Sequence, residues 1–168
     1  MRLHLGAEIL CLPETVELAQ NRQLPTLAGT DYVLTEFFFD ESFAFMDRTL
    51  DQIAACGYRI VVAHPERYDA IQLRPERLEN WAQRGYVLQV NKGSILGNLG
   101  RAAEQTAGAM MEMGLVHLFA SDAHSCQQRT PYMGKILRWA QTYCLPECAH
   151  ILFHENPRRV LRGKEMAE

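Results

Sequence analysis

The chain has 168 residues, 48% hydrophobic and 22% charged, enough for one domain with a real core. A formal net charge of -3, with its 17 Lys and Arg scattered, excludes the basic face that a nucleic-acid partner requires. Five cysteines form no CxxC pair, the start carries no long apolar signal region, and no apolar stretch is long enough to span a bilayer. Together these imply reduced thiols in a soluble, cytoplasmic protein with no direct membrane insertion.

Short apolar runs alternate with helical patterns along the whole sequence. Strands are expected at Leu3–Ile9, Tyr32–Phe39, Tyr58–Ala63, Tyr86–Val90 and Val116–Ala120. Each is nearly continuously apolar, as parallel strands covered by helices are. Helices are expected at Pro13–Gln23, Ser42–Cys56, Pro75–Arg84, Leu99–Met113 and Pro131–Tyr143. Prolines stand in the first turn of three of these, and Gly57, Gly85 and Gly114 follow three of them as C′ residues. Asn156-Pro157 reads as an N-cap and first residue of a short closing helix. The result is an α/β domain over residues 1–168, with about five parallel strands in an open or barrel-like sheet.

Polar residues interrupt this pattern at particular places. Glu8 is expected to end the first strand, Glu36 lies among apolar neighbours in the second, and His64 ends the third. Asp122 and His124 follow the fifth. Twenty-eight residues separate Glu8 from Glu36 and Glu36 from His64, one βα unit each time. Equivalent points of successive units converge at the C-terminal mouth of a parallel barrel, where such folds place their active sites. Carboxylates and imidazoles converging there suit Mn, Fe or Zn, which activate water. A Glu36 buried without a cation would carry a large desolvation cost.

Arg67 and Arg129 sit on two of the site loops, and a guanidinium fork matches phosphate oxygens. The alternative for either is a surface or ion-pair arginine, against which their places on two site loops weigh. Lys92, on the loop after the fourth strand, reads as solvated. Cysteine catalysis does not fit, because only Gln127 and Gln128 separate Cys126 from Arg129, too short a loop to wrap a phosphate. A metal-bound hydroxide is the better nucleophile.

The strings Gly-Ala-Glu-Ile (6–9), Thr-Glu-Phe (35–37), His-Pro-Glu-Arg-Tyr (64–68), Gln-Val-Asn-Lys-Gly-Ser-Ile-Leu-Gly (89–97), Ser-Asp-Ala-His-Ser (121–125) and Arg-Thr-Pro (129–131) carry a resemblance over essentially the whole chain. In that order they resemble the manganese-dependent tyrosine-protein phosphatases of the polymerase-and-histidinol-phosphatase (PHP) superfamily. The resemblance implies a partial, distorted βα barrel with five strands where the family has seven. It implies up to three metal ions in the family and fewer here, because the family's opening His-x-His strand has no counterpart and the chain reads as N-terminally truncated. It further implies that Glu8 bridges two metals, that Glu36 and His64 complete the second site, and that Asp122 and His124 serve the first and third. Arg67 and Arg129 would hold the phosphoryl group. The implied partner is the phosphotyrosine tail of a bacterial tyrosine kinase that governs capsule or exopolysaccharide synthesis. Another PHP phosphomonoesterase, of histidinol-phosphate phosphatase type, is the neighbouring reading. A different class of reading is a catalytically impaired remnant that binds, or forms a homo-oligomer through an open sheet edge.

Overall fold

A computed structural model of the protein describes residues 2–167. Five strands form one parallel sheet in sequential order: β1 (Glu8–Leu10), β2 (Tyr32–Glu36), β3 (Arg59–Ala63), β4 (Val87–Asn91) and β5 (Leu118–Ala120). Among the described residues β1 and β5 do not pair with each other, so the sheet is open. The principal helices are α1 (Thr15–Gln20), α2 (Phe43–Ala55), α3 (Asp69–Gln72), α4 (Arg77–Gln83), α5 (Lys92–Ile95), α6 (Arg101–Glu112), α7 (Gly134–Tyr143), α8 (Pro146–His150) and α9 (Asn156–Val160). A π-helical segment, Ile151–Glu155, joins α8 to α9 without a break.

The alternation of side chains along each strand divides the sheet into two faces. Val33, Ile60, Val62, Leu88, Val90 and Phe119 point to the face covered by helices, where they pack with Met46, Leu50 and Ile53 of α2, Leu78 and Trp81 of α4, and Met110 of α6. Those α2 residues recur at helical spacing, and the helix is capped by Ser42, whose Oγ accepts from the Phe45 N–H at 3.3 Å. Gly57 and Gly85, at φ 83° and 80°, let α2 and α4 turn directly into the following strands.

The opposite face carries Tyr32, Val61 and Val87, packed against Val160 of α9, Leu27 and Met166. The C-terminal segment is sewn on by the Tyr32 hydroxyl, which donates to the Lys164 carbonyl at 2.9 Å, and by Arg59, which donates to the Gly163 carbonyl at 3.1 Å. It covers the beginning of the strands. The same face at their C-terminal ends is left for polar residues.

Three local expectations are corrected. The first strand begins at Glu8 rather than Leu3, so Glu8 opens it instead of ending it. The Leu5 carbonyl accepts from the Ala28 N–H at 2.8 Å, which draws the preceding segment toward the Leu27–Gly29 turn and leaves Leu3 and Leu5 exposed. Asn156 is helical, at φ -63° and ψ -44°, and is not an N-cap. It is a buried staple, donating to the His117 carbonyl and accepting from the Ala167 N–H, each at 2.8 Å.

Candidate active site

The register explains how residues from separate strands meet. Glu8 pairs with Leu34 and Leu10 with Glu36, so Glu8 and Glu36 point to the same face with one pleat between them. The equal spacing in sequence is therefore not an equal position in the sheet. On β3, Val62 pairs with Thr35, which puts Ala63 beside Glu36 and His64 one residue beyond the end of the strand. Strict alternation would turn His64 away. Its backbone instead enters the left-handed region, at φ 34° and ψ 54°, and the imidazole swings back to the carboxylates.

There His64 Nε2 lies 3.1 Å from Glu8 Oε1 and 3.2 Å from Glu36 Oε1. One ligand atom from each of the three residues falls within 4.8 Å of the other two. Glu36 is less buried than its neighbours suggest, its side chain 31% exposed against 2% for His64, because it looks out of the sheet's end. The ring of His64 is held between Phe39 and Tyr68, with centroids 6.0 and 5.9 Å away, and its buried Nδ1 has no hydrogen-bond partner among the described residues.

This donor set fits a divalent cation. Two carboxylates and one imidazole nitrogen converge, and at most one imidazole proton stands between them. A cation satisfies all three at once, and mixed oxygen and nitrogen donors suit first-row transition metals.

Asp122 anchors a second cluster, also from a left-handed backbone, at φ 47°. Its Oδ2 accepts from Asn91 Nδ2 at 2.6 Å and from the Arg129 guanidinium, and lies 3.7 Å from Arg67 Nη1. Both phosphate-binding candidates are therefore collected at one carboxylate. His124 is exposed and folds back, its Nδ1 3.0 Å from the Asp122 carbonyl and 3.4 Å from Oδ1. Arg67 links the clusters, since its guanidinium lies over the Phe39 ring that abuts His64. Glu8, Glu36 and His64 thus form one group, while Asp122, His124, Arg67 and Arg129 form another beside it.

Several residues escaped the sequence reading. Asn91 ends the fully buried β4 and holds Asp122 through its side chain. Glu66 is fully buried, its Oε1 accepting from Ser94 Oγ at 2.6 Å and from the Asn91 N–H at 3.1 Å. Burial pushes its carboxyl above the usual range, partly offset by those two donors. A polar residue closing a buried strand is the signal that points to Asn91. Lys92 is partly exposed but not free: its Nζ donates to the carbonyls of Thr130 and of Tyr132, the latter at 2.7 Å, and fastens the loop that carries Arg129. A cavity of about 510 Å³ adjoins this cluster, lined by Asn91, Lys92, Asp122, Arg129 and Lys135 among others. A larger one, of about 800 Å³, opens where the strands begin and touches none of the site residues.

Against known proteins, residues 1–162 match the capsular polysaccharide synthesis family CpsB/CapC. The chain belongs to the CpsB/CapC family. It is 30% identical over 161 residues to the tyrosine-protein phosphatase CpsB of Streptococcus pneumoniae, covering 93% of this chain and 66% of that protein. It is also 30% identical over 172 residues to the tyrosine-protein phosphatase YwqE of Bacillus subtilis, covering 95% and 68%. A crystal structure from work on YwqE and CpsB, described as unique metal-dependent tyrosine phosphatases, superposes with a TM-score of 0.83 at 28% identity. That match covers 96% of this chain and 65% of the other. The chain thus spans about two thirds of the length of the CpsB/CapC relatives it matches, and the resemblance read from its motifs is to the family it belongs to. No helix among the described residues is long and apolar enough to cross a membrane.

Proposed function

We propose that the chain carries out metal-dependent hydrolysis of phosphotyrosine, on the tail of a bacterial tyrosine kinase that governs capsule or exopolysaccharide synthesis, in the cytoplasm. The observation that carries this reading is the convergence of Glu8, Glu36 and His64 within 4.8 Å, beside two arginines gathered on Asp122. The naming of CpsB and YwqE as tyrosine-protein phosphatases supports the substrate class. Manganese is the proposed ion, and the same donors accept iron or zinc.

In this reading Glu8, Glu36 and His64 hold one cation, and Asp122 and His124 contribute to the first and third sites. A bound cation supplies Lewis-acid polarisation and a nucleophile at neutral pH. Arg67 and Arg129 bind the non-bridging oxygens and neutralise the charge that grows on them as the ester bond breaks. Asn91 and Lys92 keep Asp122 and the Arg129 loop in place, so that little reorganisation is left to the reaction. The contacts of the buried His64 ring with Phe39 and with the buried Tyr68 fix the imidazole's direction.

The test is metal content by mass spectrometry on protein purified without chelators, read beside hydrolysis of a phosphotyrosine peptide with added Mn. Metal with turnover, both lost in Glu36→Gln and His64→Ala, supports the proposal. Metal without turnover reduces the role to binding. Turnover that survives both substitutions refutes the site.

A further inference from the structure

The end of β2 runs into three phenylalanines with different fates. Phe37 is buried, edge-on to Phe45 at 6.3 Å and to Tyr68 at 6.0 Å. Phe38 and Phe39 are 52% and 40% exposed. Exposed aromatic surface forgoes the stabilisation that burial gives, about 25 cal/mol per Å².

Phe39 is nevertheless held in place. Its carbonyl accepts from the Asp69 N–H at 2.8 Å. The Arg67 guanidinium sits over its face, 4.2 Å from the ring centroid, and the His64 imidazole meets it at 6.0 Å in an edge arrangement. One ring thus touches both a phosphoryl-binding arginine and a metal-ligand candidate, lies 6.4 Å from the Tyr68 ring, and is still 40% exposed.

The geometry points to Phe39 as the residue that selects an aromatic phosphate ester over an aliphatic one. This rests on the phosphatase reading above. A phosphoryl group shared between Arg67 and the Glu8–Glu36–His64 group has Phe39 as its immediate neighbour, since the ring contacts both. The ester oxygen of phosphotyrosine carries a phenyl ring, which meets Phe39 in a stacked or edge contact. The methylene of phosphoserine offers no such surface.

The experiment compares two ligands and two peptides on the Mn-supplemented chain. Binding of phenylphosphonate and of propylphosphonate is measured by calorimetry, and kcat/KM is measured for phosphotyrosine and phosphoserine peptides of the same sequence. Phe39→Leu keeps an apolar side chain and removes the ring. An aromatic pair is worth about 0.5–1.5 kcal/mol, so the aromatic preference should fall about two- to tenfold in both readouts. Loss of the contact with Arg67 weakens both members of each pair alike, so the ratio isolates the ring. Phe39→Tyr should restore it. An unchanged ratio in Phe39→Leu overturns the inference and leaves the phosphatase reading standing. Failure of the unsubstituted chain to bind either phosphonate or cleave either peptide overturns both.

Discussion

Tyr68→Phe tests how the site is supported, with a single oxygen removed. The Tyr68 hydroxyl is buried between two strand ends, donating to the Ala63 carbonyl at 2.9 Å and accepting from the Phe37 N–H at 3.2 Å. Ala63 precedes His64 and Phe37 follows Glu36, so the hydroxyl continues the β2–β3 ladder beyond its last pair, Thr35 with Val62. Burial holds the phenol well above its ordinary pKa, which keeps the donated proton in place at any physiological pH. The substitution preserves the ring and its contacts while leaving one buried N–H and one buried C=O without partners. Each such orphan costs about 1–3 kcal/mol, and some relaxation is expected, so the loss should be about 2–4 kcal/mol. Urea unfolding of the metal-free protein measures it. The supporting groups of a metal site typically contribute 10- to 100-fold in affinity, so Mn binding should weaken by about that factor. A stability change below about 0.5 kcal/mol with unchanged Mn affinity would refute the reasoning, since the strand ends would then hold themselves.

Without metal, Glu8 and Glu36 repel each other across His64, so Glu36→Gln should leave stability unchanged or raise it. With Mn at 100 times its dissociation constant the unsubstituted chain should gain about 2.7 kcal/mol and the variant much less; equal gains in urea unfolding would remove Glu36 from the site. The Cys11 thiol is pushed up to about 12 by burial, so thiol reagents should label exposed Cys126 at once and Cys11 only on unfolding. Because the unfolded thiol loses its proton first as pH rises, Cys11 contributes a stability loss that begins near pH 9, and Cys11→Ala should flatten it. His117 is the reverse case: burial lowers its pKa, and its Nδ1 accepts from the Leu88 N–H at 3.0 Å. The unfolded imidazole takes up a proton first as pH falls, so stability should decline below about pH 6.5. His117→Asn, which keeps an acceptor, should show a shallower decline between pH 7 and 5.5, and an identical one would dismiss the histidine's part.

Alternation of apolar runs with capped helices made the parallel sheet legible, because each strand's composition reports burial on both faces. The site was legible to the extent that its residues break that pattern: Glu8, Glu36 and His64 stand out among Ile, Val and Leu. Their convergence depends on register, which composition does not encode, and on the left-handed backbone at His64, where the following Pro65 announces a break but not its hand. Asn91 and Glu66 were missed for the opposite reason. Glu66 lies in a polar stretch, where a carboxylate held by partners distant in sequence looks like a surface one, whereas Asn91 differs from a surface amide only in closing an apolar strand. Lys92 was misjudged because its acceptors are main-chain carbonyls, invisible to any reading by residue type.

His64 and Asp122 share a left-handed backbone at the two corners of the site. Histidine and aspartate tolerate that conformation better than most side chains, but glycine takes it freely and would relieve up to about 1–2 kcal/mol of backbone strain at each. Selection for thermal robustness alone, in a laboratory library or a sequence-design calculation on this backbone, should therefore drift toward glycine at both positions and delete the site in the process. Where histidine and aspartate persist under such pressure, something other than folding is holding them.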